Sequence, residues 1–239
     1  MATESAGCGA PSWLFSRKLS LACLMLATTL GVCANMKDNP LQPLDDAIHD
    51  IFYLHGSSDF AWFSRWVLSS PGHIQTGVAG GLIGIILLLK LGQRSSVVAF
   101  ILPLLLTGVV SVSLKELVGR LRPDTSVEMV DFAWPSGHSM LATVFWGLVC
   151  FFIIRIYADN NTGSGMLNRL AETKNATRMW ISFIVFTGCG RLLGGVHWFT
   201  DVIGGIAIGI LILQTALMME QHLGIDADSS DSDSGNYQP

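Results

Sequence analysis

Six apolar stretches, at roughly 19–36, 74–91, 97–114, 139–157, 179–196 and 199–219, alternate with polar segments along the chain. Each approaches the ~20 residues that cross a hydrocarbon core of about 30 Å. Lipid offers backbone groups no hydrogen-bond partner and the runs are too long for barrel strands, so all six are predicted to be helices. The expected fold is all-α, a polytopic membrane protein built as a six-transmembrane-helix bundle. The fifth stretch is the weakest, because Arg191 interrupts it. An ionisable residue at such depth is costly and marks a functional-site candidate. Segment 37–73 mixes acids, aromatics and proline, and is expected at the outer interface as one or two short helices anchored by Trp62 and Trp66. The chain thus divides into an N-terminal segment (1–18), a membrane domain (19–225) and a solvated, disordered acidic tail (226–239), without a repeat or second domain.

Composition agrees with a bilayer setting. Hydrophobic residues make up 50% of the 239 and charged residues 13%, against about 25% charged in soluble domains, and the mean hydropathy is +0.49. Fourteen Lys and Arg against eighteen Asp and Glu give a net charge of −4, which excludes a basic surface for nucleic acid. Of the cysteines Cys8, Cys23, Cys33, Cys150 and Cys189, four lie inside apolar runs and none shows paired spacing, so they read as small buried hydrophobes.

Cytoplasmic loops collect Lys and Arg. With the N-terminus inside, the inner segments hold Arg17, Lys18, Lys90, Arg94, Arg155, Arg169, Lys174 and Arg178. The outer ones hold Lys37 and Arg65, besides Lys115, Arg120, Arg122 and Arg191 in the motif regions. The expected topology is N-in, C-in. Arg17-Lys18, the apolar run and Val32-Cys33-Ala34 also resemble a signal peptide cut after Ala34, whose removal would leave the other spans with the same sidedness. The sequons at Asn160 and Asn175 fall in an inner loop and are expected to stay unmodified.

Three polar clusters fall on the outer side. In the first, Lys115 and Arg122 are seven apart, about two helical turns, so both cations are expected on one face of a helix that Pro123 ends, a pairing that suits a phosphate. Snorkelling toward headgroups is the plain structural alternative. In the second, Trp134-Pro135-Ser136-Gly137-His138 opens the fourth span. Free N–H groups and the helix dipole make an anion cradle there, Gly137 allows close backbone approach, and His138 is placed as a proton donor. In the third, His197 and Asp201 are four apart at a helix start, so the carboxylate can accept the imidazole Nδ1–H and leave Nε2 as nucleophile or base. Arg191, six residues earlier, can clamp an anion. Each of the last two clusters also has a purely structural reading, as a helix cap and as a His–Asp closure. Together they describe phosphoryl transfer by cations, two histidines and one orienting carboxylate. Asp124, Glu128 and Asp131 share one loop, but no histidine or cysteine completes a metal site.

The order of these motifs, Lys, six residues, Arg-Pro, then Pro-Ser-Gly-His, then Arg, five residues, His, three residues, Asp, resembles the type 2 phosphatidic acid phosphatase (lipid phosphate phosphatase) superfamily from the first span to the sixth. The resemblance implies that His197 attacks phosphorus to form a phosphohistidine, Asp201 orients it and His138 protonates the leaving oxygen. Lys115, Arg122, Arg191, Ser136 and the Gly137 backbone would bind the phosphoryl oxygens. No cofactor, metal or obligate protein partner is implied; the partners are a lipid phosphate and the bilayer itself, with the active site at the outer membrane boundary. A polyprenyl diphosphate or a glycerophospholipid phosphate is the favoured substrate. Gly190 departs from the Ser-Arg pair usual in the third motif; a lost hydroxyl donor is worth ~1–3 kcal/mol, so activity is expected to persist. A catalytically inactive lipid-binding relative is the rival function. A transporter fits less well, since its site belongs near the bilayer midplane. The related vanadium-dependent haloperoxidases are soluble, unlike this chain.

Overall fold

The computed structural model describes residues 10–53, 59–123, 131–153, 169 and 172–234. Helices account for the regular structure throughout those residues. They are α1 (Arg17–Asn35), α2 (Gln42–Phe52), α3 (Asp59–Phe63), α4 (Ile74–Lys90), α5 (Arg94–Val118), α6 (Gly137–Leu148), α7 (Thr173–Leu193) and α8 (Phe199–Ser234). Short tighter or wider turns occupy Ser12–Phe15, Ser64–Leu68, Ser70–Gly72 and Val149–Ile153. The apolar stretches at 19–36, 74–91, 97–114, 179–196 and 199–219 lie largely on α1, α4, α5, α7 and α8. The stretch at 139–157 divides between α6 and the wider turn Val149–Ile153, its residues 154–157 lying outside the described residues, and segment 37–73 holds the short helices α2 and α3. The loop positions Asp124 and Glu128 and the sequon at Asn160 lie outside the described residues.

Arg17–Asn35, Ser96–Val118 and Phe199–Met219 are long and apolar enough to cross a membrane, and Ile74–Lys90 and Gly137–Phe151 are shorter apolar helices. Helix α8 is central, packing against α1, α5, α6 and α7. Its apolar stretch is mostly buried, whereas those of α1 and α5 mostly face outward. Leu102, Leu105, Val109 and Val112 make an exposed stripe along α5 at helical spacing, and Val78, Leu82 and Ile86 another along α4. Exposed apolar bands of that extent belong in hydrocarbon rather than water. Between the helices, Met140, Val144 and Leu148 of α6 belong to one core with Leu213 and Leu217 of α8. The buried Gln214 ties the N-terminal turn into this core, donating to the Leu14 carbonyl at 2.5 Å and accepting from Ser20 Oγ at 3.0 Å.

Two local details differ from the sequence reading. Helix α5 stops at Val118, five residues before Pro123, because Gly119 takes a left-handed conformation (φ 65°) and donates its N–H to the Lys115 carbonyl at 2.9 Å. Lys115 and Arg122 therefore do not share a helical face; Arg122 lies on the non-helical segment beyond the cap. Helical backbone in α8 also continues to Ser234, beyond the start of the acidic segment expected as a solvated tail. Residues 225–234 contain neither glycine nor proline to interrupt it.

Ser136 caps α6, its Oγ accepting from Ser139 N at 3.4 Å. Its own N–H reaches the Asp201 carbonyl at 3.0 Å, which fastens the start of α6 to the start of α8. The C-terminal ends of α5 and α7 meet these two N-termini at the same end of the bundle.

Candidate active site

A cavity of about 580 Å³ opens at this end, walled by Lys115, Arg122, Gly137, His138 and Arg191 on its polar side. Leu104, Gly108, Val112 and Leu141 continue it as an apolar wall along α5 and α6. Three motifs dispersed over the sequence therefore converge on one space. Ser136 is fully buried and turned toward Ser139, whose hydroxyl donates to it at 3.0 Å, so it serves the helix cap and is not part of the cavity wall.

His197 stands in the turn between α7 and α8, with Nδ1 3.3 Å from Asp201 Oδ2, as the four-residue spacing predicts. The same Oδ2 accepts the Trp198 N–H at 2.9 Å, which pins the carboxylate. On the other side of the ring, Nε2 lies 3.1 Å from Arg122 Nη1. A guanidinium only donates, so Nε2 is the lone-pair nitrogen and Nδ1 carries the hydrogen. That is the tautomer a nucleophile needs. His197 is 1% exposed. Burial, then the charges of Arg122, Arg191 and Lys115, push its pKa well below the ordinary histidine value, so it is neutral at neutral pH. It is absent from the cavity wall, because Arg122 stands in front of it.

Arg122 and Lys115 meet at a residue the motifs did not mark. Asp131 pairs with Lys115 Nζ through Oδ2 and with Arg122 Nη2 through Oδ1 at 2.7 Å. Burial favours the neutral acid at Asp131, but the Lys115 hydrogen bond and the Arg122 charge outweigh it and hold the carboxyl below its usual range. Arg122 also donates to the Val196 carbonyl at 2.5 Å and, through Nε, to the Asp131 carbonyl at 3.0 Å.

Arg191, in the last turn of α7, differs from these two cations. It is 3% exposed, and its Nε and Nη2 have no hydrogen-bond partner. Unpaired buried donors cost about 1–3 kcal/mol each, and more when charged. A guanidinium held this way on a cavity wall is arranged to receive an anion.

Further residues at the site escaped the sequence reading. His73, the N-cap of α4, lies edge-on to His138 with ring centroids 5.2 Å apart and shares the cavity wall. Its Nε2 is 3.1 Å from the Arg65 carbonyl, so that nitrogen carries the hydrogen. Arg120 is buried between two carboxylates, Asp201 Oδ1 at 2.7 Å and Asp45 Oδ2 at 2.6 Å. Nothing local marks Asp45, since its partners lie on segments far along the chain. Among the described residues no three His, Cys, Asp or Glu side chains converge as a metal-ligand set.

A helical protein with long apolar spans and exposed apolar bands is an integral membrane protein, and this one carries a cation-lined cavity at one end of its bundle. The sequence model of the PAP2 superfamily matches residues 96–224, more than half the chain, and the chain belongs to that superfamily. Phosphatidylglycerophosphatase B of Bacillus subtilis (strain 168) is 33% identical over 102 residues, 41% of this chain and 45% of that relative, so the match spans less than half the relative's length. The fold is similar to the crystal structure of a transmembrane PAP2 type phosphatidylglycerolphosphate phosphatase from Bacillus subtilis. The TM-score is 0.64 with 23% identity, over 86% of this chain and 95% of the other.

Proposed function

We propose that the protein is a membrane phosphatase that removes the terminal phosphate of a lipid phosphate through a phosphohistidine. The observation that carries this reading is the buried Arg191 guanidinium, with unpartnered N–H groups, on the same cavity as Lys115, Arg122 and His138. An incoming phosphoryl group takes the place of Asp131 and of the His197 ring as partner of Arg122, which uncovers Nε2. The lone pair on Nε2 attacks phosphorus, a P–N bond forms, and the bond from phosphorus to the lipid oxygen breaks. His138 gives its proton to that oxygen. Water then attacks the phosphohistidine and passes its proton to His138, and the P–N bond breaks to release inorganic phosphate. Asp201 holds the Nδ1–H throughout and stabilises the positive charge that the ring acquires.

The apolar wall running along α5 suits the hydrocarbon part of a lipid, and the exposed stripes beside it suit delivery from the bilayer. A glycerophospholipid phosphate is favoured by the relative's name, with a polyprenyl diphosphate as the alternative. In this reading α1, α4, α5, α6, α7 and α8 all span the bilayer, N-in and C-in, and the site opens on the non-cytoplasmic face. The retention of His138 on the cavity wall and of the His197–Asp201 pair supports this reading over an inactive lipid-binding relative.

The test is phosphate release by detergent-purified protein, in excess EDTA, from phosphatidylglycerophosphate, phosphatidic acid and a polyprenyl diphosphate. Turnover of at least one that is lost in His197→Ala supports the proposal. Turnover unchanged in that variant, or an absolute need for a divalent ion, overturns it.

A further inference from the structure

Asp201 must do two things for His197: fix its tautomer and supply negative charge while the ring becomes cationic. Yet a buried guanidinium is bound to its other oxygen. Arg120 Nη1 lies 2.7 Å from Asp201 Oδ1, and a bare one-to-one ion pair of this kind would cancel the charge that His197 needs. The fold supplies a second carboxylate. Asp45, fully buried in the first turn of α2, takes the other arm of the fork, Arg120 Nη2, at 2.6 Å. Asp45 is itself fixed by Thr200, whose N–H and hydroxyl donate to its two oxygens at 2.9 and 2.6 Å. Thr200 is next to Asp201, and its hydroxyl also accepts from Arg120 Nη1 at 2.7 Å. Gln42, one turn before Asp45 on α2, accepts from Nη2 at 3.0 Å, and the indole of Trp198 lies against the guanidinium, 5.4 Å from its centre.

We propose that Arg120 and Asp45 are positioning residues for the nucleophile, a buried charge relay that runs from α2 through Arg120 and Asp201 to His197. The inference rests on the reading of His197 as the nucleophile. In this relay Arg120 holds the carboxylate of Asp201 in the plane that serves Nδ1. Asp45 keeps the cluster of two carboxylates and one guanidinium at one negative charge, so the guanidinium does not neutralise Asp201. It also makes the interfacial helix α2, which carries none of the signature motifs, a working part of the site. A desolvated cluster is where one charge matters most, because water does not screen it.

The charged and titratable groups around His197 are Arg122 beyond α5, Lys115 on α5, His138 on α6, Arg191 on α7 and Asp201 on α8, with Arg120 and Asp45 behind Asp201. Removing one member of the relay changes the field on the ring in a known direction. Asp45→Asn deletes a negative charge, disfavours the protonated ring and moves the acid limb of kcat/KM to lower pH. Arg120→Gln deletes a positive charge and moves it to higher pH. Each shift is expected to be about half a pH unit or more, below the 1–3 units of a directly contacting charge. The double variant restores the single negative charge and returns the limb to the wild-type position. Substrate ionisation is common to all four proteins and drops out of the comparison.

The experiment is the pH profile of phosphate release by wild type, both single variants and the double variant, with His197→Ala as control and thermal unfolding in detergent alongside. Opposite displacements of the two limbs, cancelled in the double variant, support the relay. Displacement in one direction, or none, overturns it and leaves Arg120 and Asp45 with a packing role that only the unfolding temperature registers. Should one single variant not fold, the other decides together with the double variant: a limb displaced in the stated direction and returned in the double variant supports the relay, and an undisplaced limb overturns it. Activity that survives in His197→Ala would instead refute the nucleophile reading beneath it.

Discussion

Gly190 and Ser69 approach so closely that a Cβ built on Gly190 would stand 2.5 Å from Ser69 Oγ, 2.7 Å from the Ser64 carbonyl and 2.8 Å from Ser69 N. Two of those neighbours are backbone atoms of the tight segment before α4 and cannot swing aside. The glycine at the third motif is therefore the residue that lets Ser64–Leu68 seat against α7. Ser69 Oγ lies where the side chain of a serine at 190 would be, and it donates to the Ser64 carbonyl at 2.9 Å. Gly190→Ser is expected to overpack this contact at a cost of ~1–3 kcal/mol, lowering the unfolding temperature in detergent and kcat/KM together. A gain in kcat/KM at unchanged stability would show instead that the hydroxyl reaches the phosphate.

The apolar runs and the motif spacings were legible because their causes are local: hydrocarbon length for the helices, and a four-residue spacing across the start of α8 for His197 and Asp201. What stayed hidden depends on distant segments. The end of α5 depends on a single left-handed glycine, a weaker signal than the proline that follows. Ser136 reads as a phosphate ligand by its place in Pro-Ser-Gly-His, but the fold gives its hydroxyl to Ser139. Asp45, Arg120 and Asp131 are ordinary acids and bases in sequence; only the packing of α2 against α8 and the return of the chain past Lys115 make them buried or paired.

Arg122 holds the lone pair of Nε2 and contributes, after burial, to the depressed pKa of His197. A folded-state value below the ordinary ~6.5 means that the ring stays neutral as pH falls through that range. The acid limb of kcat/KM should lie below it. Arg122→Gln removes a cation, favours the protonated ring and should carry the limb upward by about one unit, along with a loss of phosphate affinity. A pH profile on both proteins with the same substrate checks this; a limb that stays in place removes Arg122 from the account of the neutral nucleophile.

Asp131 makes with Lys115 and Arg122 the ion pairs that a phosphoryl group would make. A bound phosphate must displace this carboxylate. Asp131→Asn keeps the shape, removes the charge and frees both cations, so vanadate and inorganic phosphate should inhibit the variant at about 3–10-fold lower concentration, which corresponds to ~0.6–1.4 kcal/mol. Weaker inhibition by both anions would mean that Asp131 holds the cations in place for the substrate rather than competing with it.

His197 and His138 occupy different places, one behind Arg122 and one on the cavity wall, and their loss should differ in kind. His197→Ala is expected to abolish phosphate release from every substrate and to leave no covalent phosphoenzyme. His138→Ala removes a proton donor, which a good leaving group hardly needs. Its rate with a lipid alkyl phosphate should fall by about 100-fold or more, the range of general-acid assistance, and far less with an activated aryl phosphate. Equal losses on the two substrates would refute the general-acid role.

The loop charges give an expectation for sidedness that labelling can test. Asp38, just beyond α1, and Thr173, at the start of α7, are both exposed. If Lys- and Arg-rich loops face the cytoplasm, Asp38 lies outside, at the same end as the cavity, and Thr173 inside. Single cysteines placed at these two positions, on a background cleared of reactive native thiols, should react differently with an impermeant maleimide in intact cells. Asp38→Cys should label directly, and Thr173→Cys only after the membrane is opened. The reverse pattern would put the cavity on the cytoplasmic side, and lipid phosphate would then have to be presented from the inner leaflet.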